Sequence, residues 1–244
     1  MDYLDRLTYS TGDHFEDNLI NREGDVVNMS MIAKDNGGMT IPPLENGVYI
    51  AICSGLIDLG IQVSEQFGTK SRKMIVQWII VGETIDVNGE QLPRTMHKQY
   101  GFSIGSKSNL RKDLEAWRGR AFTDEELNGF DLKNILNVPC QMQIITKERV
   151  GKSDVNNISG IMSLPKGNSV DKLKEEDLIF FDIEDANTYK NFEKVSKWIQ
   201  EIIKQAENYE SSGLKKYVEE NVKEEVVEDG EFITVDDTDD LPFL

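Results

Sequence analysis

The apolar positions of this chain fall mainly into runs of alternating or β-branched residues. Gly47–Cys53, Lys73–Val81, Val138–Lys147 and Val155–Leu164 are such runs, bounded by Gly, Ser and Asn, and each predicts a strand. In the second, Met74, Val76, Trp78 and Ile80 share one parity while Lys73 and Gln77 share the other, which makes Trp78 a core residue. A further run from about Arg94 to Ile104 places Met96, Tyr100, Phe102 and Ile104 on one face with Lys98 among them. Thr95, His97, Gln99 and Ser103 lie on the other. Tyr100 and Phe102 on such a strand either fill a core or stack on a ligand. Gly47 to about Gln62 predicts a first strand pair or one long bent strand, with Gly55 and Gly60 permitting the bend. Asn88-Gly89 is a two-residue turn signal. Val26–Ile32 is a candidate short edge strand.

The pattern turns helical in two places. In Ser106–Gly119, Leu110, Leu114 and Trp117 fall at i, i+4 and i+7, with Ser106 or Ser108 as the cap and Gly119 as the stop. The rest of that surface carries Arg111, Lys112, Arg118 and, just beyond, Arg120, as a solvated face or a phosphate contact. Thr123-Asp-Glu-Glu126 has the form of a capping box, and Phe130–Leu136 is a short apolar segment. Asp185–Tyr209 reads as one long helix. Its apolar face holds Tyr189, Phe192, Val195, Ile199, Ile202, Ile203 and Ala206, with Trp198 at the border. That face packs on the same chain or on a second subunit, which makes a homodimer possible.

Strand, strand, strand, helix, strand, strand is the element order of an OB-fold, a five-stranded Greek-key barrel that binds oligonucleotides and oligosaccharides. The expected class is therefore mainly β (α+β). It consists of an irregular arm over 1–43, an OB barrel with an inserted helix over 44–167, a helical extension over 168–210 and a disordered acidic tail over 211–244.

Charge sharpens this picture. The 244 residues carry a formal net charge of −17. An acidic chain normally avoids nucleic acid. The acids are segregated, however: residues 44–167 sum to +1, residues 1–43 to −5 and residues 168–244 to −13. A near-neutral barrel can gather its bases on one face. The loop Gln62–Lys73 holds Phe67, Lys70, Arg72 and Lys73, and the loop Lys147–Lys152 holds Lys147, Arg149 and Lys152. In an OB barrel both loops contact ligand; the alternative is a pair of solvated turns.

Cys53 and Cys140 fall within strands and read as buried thiols. There is no CxxC, no Cys/His cluster, no GxxxxGK[ST] loop and no Ser/His/Asp set, so neither metal nor other cofactor is expected. The chain has no basic-then-apolar leader and no apolar run of membrane-spanning length, which predicts a cytoplasmic protein.

Several segments together resemble a known family. They are Gly47-Val-Tyr, Ile57-Asp-Leu-Gly60, Ser108-Asn-Leu-Arg-Lys-Asp-Leu-Glu-Ala-Trp-Arg-Gly-Arg120, Phe130-Asp-Leu, Pro139-Cys140 and Leu164-Pro-Lys-Gly167. Over roughly residues 40–209 the chain is similar to the phage single-stranded DNA-binding proteins of OB-fold type. The resemblance implies sequence-tolerant coating of single strands during phage DNA replication and recombination, in the host cytoplasm, without a catalytic residue set. The DNA-binding residues expected on this reading are Phe67, Lys70, Arg72, Lys73, Arg94, Lys98, Tyr100, Arg111, Lys112, Arg118, Arg120, Lys147, Arg149 and Lys152.

From Glu219 onward the chain carries 11 acids and one lysine and ends Asp236-Asp-Thr-Asp-Asp-Leu-Pro-Phe-Leu244. The ending is similar to the acidic tail of bacterial single-stranded DNA-binding proteins, which finishes Asp-Asp-Ile-Pro-Phe. It departs by one residue, since Leu244 follows the phenylalanine. The similarity implies recruitment of a polymerase, helicase or primase through Asp236, Asp237, Asp239, Asp240, Leu241, Pro242, Phe243 and Leu244. Two other classes compete with a non-enzymatic single-strand binder. One is an interaction adaptor of a replication-initiation complex. The other is a metal-dependent nuclease, which would need carboxylates converging at strand ends.

Overall fold

The computed structural model describes residues 18–20, 26–28, 42–64, 66–87, 89–148 and 154–221. The chain divides into two units, Met1–Thr40 and Ile41–Leu244. In the first, β1 (Asn18–Ile20) pairs antiparallel with β2 (Val26–Asn28), so the arm expected to be irregular contains a small hairpin.

The second unit is built on a six-stranded sheet of order β5-β4-β3-β6-β7, with β8 paired to β3 beside that path. The strands are β3 (Gly47–Val63), β4 (Lys70–Val87), β5 (Glu90–Gly101), β6 (Pro139–Lys147), β7 (Val155–Met162) and β8 (Ile179–Phe181). All pairings are antiparallel except β3 with β8. The first strand is one long bent strand rather than a pair. Register shifts at Cys53/Gly55 and Asp58/Gly60 bend it, and Gly60 takes φ +70°, a conformation that favours glycine. The bend lets β3 exchange partners: residues 47–52 pair with β6, and residues 55–57 pair with β8. The β4–β5 turn follows its turn signal, with Gly89 at φ +88° donating its N–H to Asp86 at 2.9 Å.

β5 begins four residues earlier than its sequence pattern predicts, because the turn lets the hairpin zip to Glu90. β5 and β7 are the two ends of the sheet, and no backbone ladder joins them among the described residues. They are linked by side chains: Arg94 on β5 donates to Asn156 on β7 at 3.2 Å, and Asn156 also accepts from the Leu44 N–H at 2.6 Å.

Each face of the sheet carries its own core. On one face lie Cys53, Leu56, Trp78, Met96, Tyr100, Met142 and Ile158. The helix α1 (Asn109–Arg118) closes this core with Leu110, Leu114 and Trp117. Ser108 caps α1 by accepting from the Arg111 N–H, and Gly119 ends it in the left-handed region. Trp117 donates its indole N–H to the Pro139 carbonyl at 2.9 Å and packs 5.9 Å from Trp78. Cys53 and Cys140 are buried free thiols, both pushed up by desolvation, Cys140 to about 12. The capping box at Thr123 opens α2 (Asp124–Asn128), and Leu132–Ile135 is a 3-10 turn.

The outer face holds the second core. Ile57, Leu59 and Ile75 are covered by Phe181, Ile183, Phe192, Ile199 and Ile203 of the C-terminal segment. The expected long helix over Asp185–Tyr209 is not formed. A 3-10 helix runs Ala186–Lys194, the chain extends at Val195 (ψ 136°), and α3 spans Lys197–Lys204. The spacing explains the difference. Tyr189, Phe192 and Val195 recur every three residues, the 3-10 period, whereas Ile199 and Ile203 recur every four. Thr188 bonds the Asp182 and Asp185 carbonyls instead of facing solvent. Gln200, itself buried, donates to the Val195 carbonyl at the break and adds a second bond to the Phe192 carbonyl, which already accepts from the Val195 N–H. The apolar face of this segment is therefore spent within the chain, and it gives no basis for a dimer contact. The helix α4 (Gly213–Asn221) follows, anchored by Leu214.

Candidate nucleic-acid interface

Most of the bases that the sequence marks are engaged with carboxylates. Arg72 is the centre of one cluster. Its guanidinium bonds Asp58 at 2.7 Å, Asp182 at 2.9 Å and Glu184 at 3.3 Å, and lies 4.7 Å from the centre of the Phe102 ring. Asp58 is buried and also accepts from the Gly60 and Ile183 N–H groups. Hydrogen bonding to Asp58 raises the Arg72 pKa further. Lys70 pairs with Glu207. Lys98 pairs with Asp113 at 2.8 Å, and the buried Tyr100 hydroxyl donates to the same carboxylate at 2.7 Å. Tyr100 thus fills the core, and burial raises its pKa.

The basic surface of α1 is similarly matched. Arg111 bonds Glu115 at 2.9 Å. Arg118 and Arg120 share Glu126, whose pKa is held down to about 2 by Arg120, the Thr123 N–H and Arg118. Arg118 also stacks on Phe122 and Phe130. Lys112 alone of this group is exposed with no ion pair among the described residues. Arg94 is buried against Asn156, and desolvation lowers its pKa. Lys147 is exposed, and so is Phe67, in the β3–β4 turn. Arg149, Lys152 and the tail residues Asp236–Leu244 lie outside the described residues.

The two basic loops are not neighbours. Register puts the β3–β4 turn at the Val63 end of β3 and the β6–β7 turn at its Gly47 end. Antiparallel pairing of β3 with both β4 and β6 dictates this. A ligand touching both must cross the sheet.

Among the described residues, two surfaces bring together aromatic side chains that could receive a ligand. The first is a cleft of about 520 Å³ at the ends of β3–β5, lined by Phe102, Phe130, Phe180 and Lys133. Asp58, Asp131, Asp182 and Asp185 also line it. With only Arg72 and Lys133 as counter-charges, it repels a phosphate chain.

The second is the outer face of β4 and β5, beyond the cover of the C-terminal segment. Ile79 and Thr95 are partners across the strands there, as are Gln77 and His97. Lys73 and Gln99 carry the same outward parity, and Gln99 is exposed. His97 bonds Gln77 at 3.0 Å, and desolvation lowers its pKa to about 4, so it is neutral at pH 7. Against His97, edge-on at 5.6 Å, stands Trp198 from the first turn of α3, 41% exposed. Trp78 and Trp117 are both buried. Among the described residues Trp198 is thus the tryptophan open to a stacking partner. In the sequence it is marked only as bordering an apolar face.

Among the described residues no group of three His, Cys, Asp or Glu side chains is placed to hold a metal ion, and no helix is long and apolar enough to cross a membrane. No family model and no curated protein matches the chain.

Proposed function

We propose that this chain is a non-enzymatic single-stranded DNA-binding protein of OB-fold type, acting in phage DNA replication and recombination. The observation that carries the reading is Trp198, exposed beside His97 on an uncharged, amide-bearing sheet face. Single-strand binders combine an aromatic stacking platform with bases that track the backbone, and they need little hydrogen-bond readout. Trp198 supplies the platform, the exposed Gln99 side chain supplies an amide, and Lys73 supplies charge at the margin. The OB reading is supported by the order of pairings and by the Arg94–Asn156 bond, which draws the two end strands together as a barrel seam would. The acidic ending, with Leu241, Pro242 and Phe243, recruits replication or recombination proteins.

Titration with an oligo-dT strand tests the proposal. Binding should quench tryptophan emission, weaken as salt rises and leave the strand uncut in Mg²⁺. Trp198→Ala should abolish the quench and weaken binding about 5- to 150-fold, the equivalent of about 1–3 kcal/mol for one stacked base. A variant that binds with unchanged affinity would place the strand elsewhere. Failure of the full chain to bind any single strand would refute the function itself.

A further inference from the structure

On the outer face of β3, β6 and β7 the side chains form an uncharged patch. Alternation places Val48 and Ile50 of β3, Gln141, Gln143 and Ile145 of β6 and Met162 of β7 on the side opposite Met142 and Ile144. Register makes them neighbours: Val48 lies across from Gln143, Ile50 from Gln141, and Gln141 from Met162. Val48 is 56% exposed, Met162 40% and Ile145 39%. Among the described residues these rows carry no charge until Lys147, at the end of β6.

We propose that this patch is a self-association surface that pairs two copies of the chain face to face. The choice of partner follows from charge. Two copies at −17 each repel wherever acids meet, and this face lets them touch without doing so. A strongly basic or acidic partner finds no complement here. Glutamine side chains both donate and accept, so Gln141 and Gln143 can pair with their own symmetry mates, as an isologous contact requires. Val48, Ile145 and Met162, the three exposed apolar side chains, flank the glutamines and supply apolar area to bury. The inference does not rest on nucleic-acid binding.

Sedimentation velocity of the full chain over about 1–100 µM tests it. The natural chain should pass from monomer to dimer within that range. Ile145→Lys with Met162→Lys should weaken association at least about a hundredfold, because like charges then face one another. The same is expected of Ile145→Glu with Met162→Glu. Mixing the two variants should restore a dimer of one copy of each. Melting temperatures should stay unchanged, since both positions are part-exposed, which separates lost association from lost fold. A natural chain that stays monomeric at 100 µM overturns the proposal. So does a lysine variant that dimerises as before. If the variants lose oligo-dT affinity with no change in mass, the face belongs to the DNA track and the dimer is rejected. Loss of the dimer with oligo-dT affinity intact supports both readings together.

Discussion

Replacing Asp58 by asparagine tests the contact that ties the sheet to its C-terminal cover. Asp58 sits on β3 and bonds Arg72 of β4 through both Nε and Nη2, and it accepts from the Ile183 N–H just after β8. Removing one partner of a buried pair costs about 3–5 kcal/mol. Two features reduce that figure here. Arg72 is 27% exposed, and it keeps Asp182 and Glu184 as partners. Asparagine also retains one oxygen for the Gly60 or Ile183 N–H. The expected loss is therefore about 2–3 kcal/mol. For a unit of this size each kcal/mol lowers Tm by about 2–4 °C, so the melt should fall by roughly 4–12 °C. Circular dichroism would read the melt, and limited proteolysis would show earlier cleavage between residues 168 and 178. A double-mutant cycle with Arg72→Gln decides whether the pair acts as a unit: the two losses should fall short of additivity by about 1 kcal/mol or more. Additive losses, or a Tm within about 1 °C of the parent, would refute the reasoning.

Gly60→Ala should destabilise by about 2–4 kcal/mol, because its Cβ would sit 2.5 Å from Asn208 Oδ1 and 2.8 Å from Ala206 Cβ at a positive φ; urea melts would measure it. His97 is a base whose folded pKa is lowered to about 4 from the ordinary 6.5. The unfolded chain therefore takes up its proton first, and stability should fall as pH drops from about 6.5 towards 4. His97→Gln should flatten that part of the pH–stability curve, and identical curves for the two proteins would disprove the assignment. Removing residues 222–244 should tighten single-strand binding most at low salt, where the acids compete best with phosphates. Phe243→Ala should abolish partner capture while leaving DNA affinity unchanged. A truncated chain that binds DNA more weakly would contradict the competition.

Local features were legible in the sequence wherever one residue type decides the geometry. The parity of Met74, Val76, Trp78 and Ile80 identifies the inner face of β4. Ser108, Gly119 and the Thr123 box mark helix ends by the same hydrogen bonds they form in the fold. β8 was not legible, since a three-residue run such as Ile179–Phe181 is also what a helix start or a buried loop looks like. The 3-10 helix was concealed for a related reason: three-residue and four-residue spacings alternate in any amphipathic stretch. The candidate site was least legible. A lysine or arginine in a loop advertises its own charge but not its partner. Arg72 finds carboxylates 14, 110 and 112 residues away along the chain. Trp198 borders the apolar face in the sequence, but its neighbour His97 comes from a strand about 100 residues earlier and is not readable from spacing.

The exchange of partners along β3 has a consequence for synthesis. Ile57, Leu59 and Ile75 are made early, but the residues that cover them, from Ile179 to Leu214, are made about 100 residues later. At about 5–20 residues per second, the sheet leaves the ribosome several seconds before its outer core can close. During that interval the nascent chain carries a bare apolar strip on β3 and β4. A fragment ending at Gly167 would carry it permanently. The folding unit is thus longer than the six-element pattern suggests and extends to α4.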